Sequence, residues 1–516
     1  MNRPLLNDDV LLSIMSFCST MGRGTVCALI QTSRLFHHAG ARYLLANGVS
    51  LHNEQVDSFV TFMIADGDYR FPLLRTLTLS TTTLPLFSGY VLAQLFHRLA
   101  RHGALCSLKL DDTETILRSH PELPYAIAEL PKLKSLCMYN IGRHGRTLLN
   151  YLRSELVYAN LGVPYQAFMG RDDDGQIEDR EGADAVTSVV DDGDDLITAL
   201  HQSLRSLREL HMTYARDYSQ AQTLVFPCLT SLTLHAGLLD APVTGYFSRM
   251  FPNLRQLEVY TFNPDHKPFG ISDFVGRRDR NIDNQLECGR WRTLRYYEGT
   301  LEALFSLGIK CRIDWVKLKS EDSALDPFMI SEVLRDACPV HLCLEFWDAS
   351  SLLDDDFLEI FEKQGVQRLE TLHIKILSAE GEEDLAEKDI LESITSRIVV
   401  PLRSLKEFRL AIECCFWYHD FGSISDDDTP SELPPQEVEE DDFAKSLVQA
   451  SAAASGSLAS VSVKLPTSYT SFKRGRGGEF GPPTRDFHTA YGAMVNATYP
   501  RNEDDKKAWS GVRRLF

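Results

Sequence analysis

The sequence predicts an α/β fold in which short strands and helices alternate and stack along the chain, preceded by a small all-α region. Two observations predict the stacked part: an apolar pattern that recurs along the chain, and helix-compatible segments between its copies. A third predicts the N-terminal part. Residues 4–18, PLLNDDVLLSIMSFC, carry more apolar side chains than one buried helix face requires.

Composition limits the class of protein. The chain has 516 residues, of which 44% are hydrophobic, so it can bury a large core. A net charge of −19 argues against nucleic acid or an anionic membrane as a partner. Its 11 cysteines lack paired spacing, and no uninterrupted apolar segment reaches the ~18 residues of a membrane span. We therefore expect reduced thiols and a cytoplasmic or nuclear location.

The first helix is expected to begin near residue 8, with Asp8 or Asp9 as its N-cap. The apolar residues from Val10 to Cys18 then spread well beyond one helical face. The turn MGRGT ends this helix, and residues 25–45 supply one or two more. Residues 1–48 are therefore predicted to be a small helical domain that is covered on two sides, either by its own chain or by a partner.

The repeated pattern is an apolar residue, two others, a second apolar residue, one other and a third, as in Leu74, Leu77 and Leu79. The middle residues of the copies are Leu77, Leu108, Leu136, Leu156, Leu210, Leu232, Leu257, Val316, Leu342, Leu372 and Phe408. Most successive copies are about 20 to 36 residues apart, a spacing typical of leucine-rich repeats. The widest gap predicts a degenerate copy in WRTLRYYEG, residues 291–299.

Each copy is predicted to be a strand followed by a returning helix. Alternate side chains of a strand point to opposite faces, so Leu77 and Leu79 belong to the core, while Thr76 and Thr78 are displayed. Such a unit cannot cover its own apolar face, so residues 49–424 are predicted to stack into a solenoid, with parallel strands on the concave face and helices outside. The alternative is several unrelated α/β domains that share the motif by chance.

Acidic segments are expected to be solvated loops: an insertion at residues 171–195 and a linker at residues 425–442. The last part, residues 443–516, holds one weak copy, SGSLASVSVKL, and is predicted to be mostly irregular after it.

The N-terminal residues resemble the F-box, joined to leucine-rich repeats as in the large F-box-like families of fungi. The opening of the F-box is matched by Leu6, Asp8, Asp9, Val10, Leu11 and Ile14, and its close by Arg34 and Phe36. Asn7 stands where the family has proline, and Ser33 where it has cysteine.

The resemblance implies docking onto the ligase adaptor subunit of a cullin complex, while the repeats bind an unknown substrate protein. The adaptor contacts that carry over are Leu6, Val10, Leu11, Ile14, Leu29 and Arg34. One alternative is that these residues only pack a helical cap onto the solenoid. The protein would then be a non-enzymatic scaffold that recruits no ligase.

No catalytic motif accompanies these features. Nucleophile elbows, phosphate loops, paired metal-ligand spacings and His-Glu-x-x-His helices are absent from the sequence. We therefore expect no enzymatic activity, no cofactor and no metal.

The displayed row of the strands is the expected substrate surface, because aromatic and cationic side chains anchor protein partners. Its predicted members are Tyr260, Trp315, Lys317, Lys319, His373, Lys375 and Arg409. The cations cluster in the later repeats, which suggests an acidic target or one of the chain's own acidic loops. The alternative is that long charged side chains merely solvate an exposed sheet.

Overall fold

A computed structural model gives the fold. It describes residues 7–21, 23–65, 67–164, 196–213, 223–237, 243–262, 270–320, 325–347, 349–378, 392–414, 445–447, 449, 457–464, 469–473 and 484–485. These residues form an α/β structure of parallel strands and helices that divides into two compact units. The first unit is Met1–Gly270 with Arg280–Trp291, and the second is Ile271–Asp279 with Arg292–Phe516. The repeat pattern did not predict this division.

Three helices begin the first unit: α1 (Asp8–Met21), α2 (Arg23–Ile30) and α3 (Arg34–Ala46). The expected N-cap at Asp8 or Asp9 is wrong, because the helix begins at Asp8 and the side chain of the preceding Asn7 accepts a hydrogen bond from the Asp9 backbone N–H at 3.4 Å. Asp8 and Asp9 instead occupy the first turn, where their negative charges interact favourably with the positive end of the helix dipole.

The three helices enclose a small core of Met15, Val26 and Phe36, all of which are buried. Gly40 lets α2 and α3 approach closely, since a Cβ at this position would lie 2.2 Å from Cγ1 of Ile30. The predicted domain boundary at residue 48 falls between the end of α3 and the first strand. That residues 1–48 form a separate domain stays a prediction.

The rest of the first unit alternates strands with helices. Its described strands pair in parallel, each with the next along the chain. They are β1 (Val49–Leu51), β2 (Thr76–Leu79), β3 (Ser107–Leu110), β4 (Ser135–Met138), β5 (Tyr158–Gly162), β6 (Glu209–Thr213), β7 (Ser231–Gly237) and β8 (Gln256–Phe262). The helices are α4 (Val56–Ile64), α5 (Leu86–His102), α6 (Thr113–Arg118), α7 (Leu123–Ala128), α8 (Arg143–Tyr151), α9 (Leu196–Ala199) and α10 (Thr244–Met250), while α11 (Ile271–Cys288) contributes residues to both units.

The pairing register aligns the middle residues of the repeat. Leu77 lies opposite Leu108, which lies opposite Leu136, and all three are fully buried. Leu156 was assigned wrongly, because the residue opposite Leu136 is Ala159. Leu156 precedes β5 and is the first apolar residue of its copy, so the small Ala159 hid the middle position.

The second unit has six described parallel strands: β9 (Thr293–Thr300), β10 (Arg312–Lys319), β11 (His341–Phe346), β12 (Thr371–Ser378), β13 (Glu407–Cys414) and β14 (Ser460–Lys464). Its remaining helices are α12 (Leu301–Leu307), α13 (Pro327–Ala337), α14 (Asp355–Glu359) and a π-helix at Ile394–Val399. The degenerate copy predicted in residues 291–299 is confirmed as β9, where the buried Tyr297 pairs with Val316.

The described residues after β14 form strands, which the sequence did not predict; the rest of the segment that was predicted to be irregular lies outside the described residues. Two further strands, β15 (Tyr469–Lys473) and β16 (Thr484–Arg485), extend the sheet in the antiparallel sense. The direction reverses because only residues 465–468 separate β14 from β15, and a parallel partner requires a crossover of a dozen or more residues.

Several predictions fall outside the described residues. These are Leu6, the acidic insertion at residues 171–195 and the acidic linker at residues 425–442. Within the described part of the chain, no helix combines the length and apolar character that crossing a membrane requires.

Candidate functional site

One face of α1 is apolar and exposed. Val10, Ile14 and Phe17 are 45%, 39% and 68% exposed, and their spacing of four and three residues places them in one row along the helix. The other side of α1 carries Met15, which is fully buried. The helix is therefore apolar on two sides, as its sequence predicted. We call Val10, Ile14 and Phe17 the α1 stripe; a row of this kind is typical of a protein-interaction surface.

Of the predicted adaptor contacts, Val10 and Ile14 lie on the α1 stripe, and Arg34 is exposed at the start of α3. Leu11 and Leu29 do not join them. Both pack against the buried core of the three helices and are only partly exposed. At these two positions the structure agrees with the alternative in which the residues pack the helices together. Phe17 was not among the predicted adaptor contacts, although its spacing from Val10 and Ile14 could have identified it.

In the second unit, the predicted substrate residues lie on the displayed face, as the alternation of each strand requires. Lys317 on β10 is in register with Cys343 on β11, which is in register with His373 on β12 and through it with Arg409 on β13. Their neighbours in sequence alternate with the buried row. The strand register predicted for these residues is confirmed.

The cations of this face do not form a positively charged patch. The carboxylate of Glu298 on β9 contacts Nζ of Lys317 at 3.1 Å and Nζ of Lys319 at 2.7 Å, and Tyr296 also donates a hydrogen bond to it. One carboxylate from the preceding strand thus offsets much of the charge of two lysines.

The other two cations have the same kind of partner. Lys375 contacts Glu345 at 3.7 Å, and Arg409 contacts Glu407 at 2.6 Å. These ion pairs weaken the charge argument for an acidic target, which stays a prediction. The cations were visible along the sequence, but strand pairing brings Glu298 and Glu345 beside the lysines, whereas Glu407 lies on the same strand as Arg409.

The pKa of Glu298 reflects these contacts. Burial raises the pKa, but hydrogen bonds from Lys319 and Tyr296 and the charges of both lysines lower it by more. The net result is a pKa of about 2, compared with the ordinary value of 4.5. Because the folded pKa lies below the unfolded one, the ionised carboxylate stabilises the fold above pH 4.5, and this contribution is lost as the pH falls towards 2.

Replacing Glu298 with glutamine should therefore destabilise the second unit in a pH-dependent manner. We expect a loss of about 1 to 2 kcal/mol at neutral pH, because the lysine partners are partly solvated. The difference from the unmodified protein should shrink as the pH falls from 4.5 towards 2. Urea unfolding across this range measures it. Glu359→Gln, at an exposed position of the same unit, is the control; equal pH profiles for both variants would contradict the assignment.

Two further contacts complete the face of the second unit. The ring of Trp315 stacks on His341 with centroids 4.2 Å apart. The Cys343 thiol lies 3.6 Å from Nδ1 of His373, but burial raises its pKa to about 11, so it is not a ready nucleophile.

The displayed face of the first unit contains Tyr260, whose ring stacks on His235 with centroids 4.7 Å apart. His235 was not among the predicted substrate-binding residues. Neither were Tyr158 and His211, whose ring centroids are 5.3 Å apart. These residues occupy displayed positions of their strands, so the same alternation that identified Tyr260 could have found them.

No protein-family model matches the chain, and no curated protein matches its sequence.

Proposed function

We propose that the protein is a substrate-recognition adaptor of a cullin-type ubiquitin ligase, acting in the cytoplasm or nucleus. In this proposal the three N-terminal helices are an F-box-like domain that docks onto the adaptor subunit of the ligase. The strand and helix arrays are leucine-rich repeats that hold a substrate protein. The protein itself performs no chemistry; it raises the effective concentration of the substrate's lysines beside the conjugating enzyme.

The single observation that carries the proposal is the α1 stripe. A helix that only capped the array would turn its large apolar side chains inward, yet Val10, Ile14 and Phe17 remain substantially exposed while Met15 fills the core. Burying an exposed aliphatic or aromatic side chain stabilises a complex by about 1.5 to 3 kcal/mol, so three in a row can support a specific interface. Arg34 adds an exposed cation to the same three-helix region.

Val10→Asp or Ile14→Asp should abolish or strongly weaken the complex with the ligase adaptor subunit. Each places a charge in an interface that excludes water, at a cost of about 2 to 3 kcal/mol, or roughly 30- to 150-fold in affinity. The measurement is titration of the purified full-length protein with the purified adaptor subunit by calorimetry.

Leu286→Asp is the matched control, because Leu286 is also an exposed apolar residue on a helix, at 78% exposure. It should bind the adaptor subunit as the unmodified protein does. Circular dichroism of the three variants should be unchanged, since exposed substitutions seldom unfold a protein. Failure of the unmodified protein to bind the adaptor subunit would instead favour a non-enzymatic scaffold.

A further inference from the structure

Aromatic side chains cross the displayed face of the first unit from β4 to β8. We call Tyr139, Tyr158, His211, His235 and Tyr260 the aromatic track. In the strand register His235 and Tyr260 lie at one level, and Tyr158 lies four residues further back along its strand. Three strand spacings of about 4.8 Å and about 13 Å along the strands therefore separate Tyr158 from Tyr260 by roughly 20 Å. An extended peptide of about six residues has this length.

Contacts within the track hold its rings in place. The Tyr158 and His211 rings are 5.3 Å apart, and the His235 and Tyr260 rings stack at 4.7 Å with an angle of 14° between their planes. Tyr139 accepts a hydrogen bond from Nδ2 of Asn160 at 3.1 Å. Ordered rings of this kind present their faces at little further cost in conformational entropy.

Tyr158 and His211, in the middle of the track, carry no positive charge at neutral pH. Burial raises the pKa of Tyr158 to about 12, so its hydroxyl keeps its proton. Burial, followed by the charge of His235, lowers the pKa of His211 below 6.5 and favours its neutral form. The centre of the track therefore does not repel a cation.

Three observations favour a positively charged occupant. Nζ of Lys109 already lies 5.6 Å from the centroid of the Tyr139 ring, within the range of a cation–π contact. Glu209, directly opposite Tyr158 in the strand register, is exposed and forms no ion pair with any described residue. The chain as a whole carries a net charge of −19, which attracts a basic partner from a distance.

We infer that the aromatic track binds an extended peptide segment bearing arginine or lysine side chains. Its cations would lie over the faces of Tyr158 and Tyr260, and one would reach the carboxylate of Glu209. That this peptide belongs to the ligase substrate rests on the proposed function. That the aromatic track binds such a peptide does not. It moves the expected recognition surface from the second unit to the first and reverses the charge of the expected target.

The test uses the full-length protein and a fluorescein-labelled peptide of about eight residues in which arginine alternates with glycine. A second peptide carries citrulline in place of arginine, with nearly the same shape but no charge. Fluorescence anisotropy should show binding of the arginine peptide and at least about tenfold weaker binding of the citrulline peptide.

Tyr158→Leu and Tyr260→Leu should each weaken arginine-peptide binding about three- to tenfold, because leucine retains apolar bulk without the ring face. Glu209→Gln should weaken it by a similar factor. Tyr151→Leu, at a tyrosine that is 60% exposed on α8 and outside the track, should bind as the unmodified protein does. Thermal melting identifies any variant that fails to fold. If Tyr158→Leu does not fold, Tyr260→Leu provides the test.

Equal affinity for the two peptides, or equal losses in Tyr151→Leu and the track variants, would overturn the inference. Titration of the same variants with the ligase adaptor subunit separates this result from the proposed function. Track variants should retain adaptor binding, and Val10→Asp should retain peptide binding. Failure of the unmodified protein to bind the adaptor subunit, with peptide binding present, overturns the ligase proposal and leaves the peptide site intact.

Discussion

Replacing Asp336 with alanine should lower the free energy of unfolding of the second unit by about 3 to 5 kcal/mol. The Asp336 carboxylate accepts hydrogen bonds from Arg278 and from Nζ of Lys310, the latter at 2.8 and 2.9 Å. The side chains of Arg278 and Asp336 are only 6% and 10% exposed. Removing the carboxylate leaves the guanidinium buried with much of its charge uncompensated.

The remaining contacts of Arg278 cannot replace this partner. One nitrogen donates to the backbone oxygen of Phe305 at 3.1 Å, and the guanidinium lies over the Phe305 ring at 4.7 Å. Both hold the side chain in its buried position, so it cannot easily turn to solvent. Glu332 is 3.7 Å away and offers a weaker ion pair.

Hydrogen exchange measured at increasing urea concentrations, in peptides from residues 292–346, reports the free energy of unfolding of this unit. Asp314→Asn is the control, because Asp314 pairs with Arg312 at 2.9 Å but both side chains are 43% exposed. An exposed pair contributes about 0 to 1 kcal/mol. Similar losses in the two variants would show that burial does not set the strength of the Asp336 network.

Sequence periodicity predicted the strands well, because each strand repeats one physical requirement: alternate side chains must be apolar. Even the degenerate copy at Tyr297 obeyed it, since a buried aromatic ring replaces leucine there. Periodicity failed where a side chain was small, as at Ala159. It also could not predict the reversal at β15, which depends on the length of a connection rather than on the apolar pattern.

The charge of the displayed face was harder to predict. Lys317 and Lys319 are two residues apart in sequence, so their proximity was visible, whereas Glu298 comes from another strand. Only the strand register brings the carboxylate between them. An isolated view of one strand therefore overestimates positive charge wherever a neighbouring strand carries acidic residues, and the same reasoning applies to Lys375 on β12 beside Glu345 on β11.

The N-terminal helices illustrate a different limit. The sequence shows Ile14 and Met15 as adjacent apolar residues, but the structure gives them opposite tasks: Met15 is fully buried, and Ile14 is 39% exposed. Helical geometry alone places them on different faces, and the packing of α2 and α3 decides which face is covered.

Met15→Ala should therefore destabilise the three helices by about 2 to 5 kcal/mol, because it removes the largest contribution of α1 to a small core. A core of this size has little stability in reserve, so residues 8–46 should exchange amide hydrogens much faster in the variant. Hydrogen exchange with mass spectrometry measures this segment separately from the strands that follow.

Ile14→Ala makes the complementary change on the next residue. It should alter exchange in residues 8–46 by no more than the equivalent of about 0.5 kcal/mol, because Ile14 contributes mainly exposed surface. Yet it should weaken adaptor binding, which Met15→Ala reduces only by unfolding the helices that present the α1 stripe. If Ile14→Ala instead unfolded the helices as Met15→Ala does, the outer face of α1 would belong to the core, and the stripe could not be the docking surface.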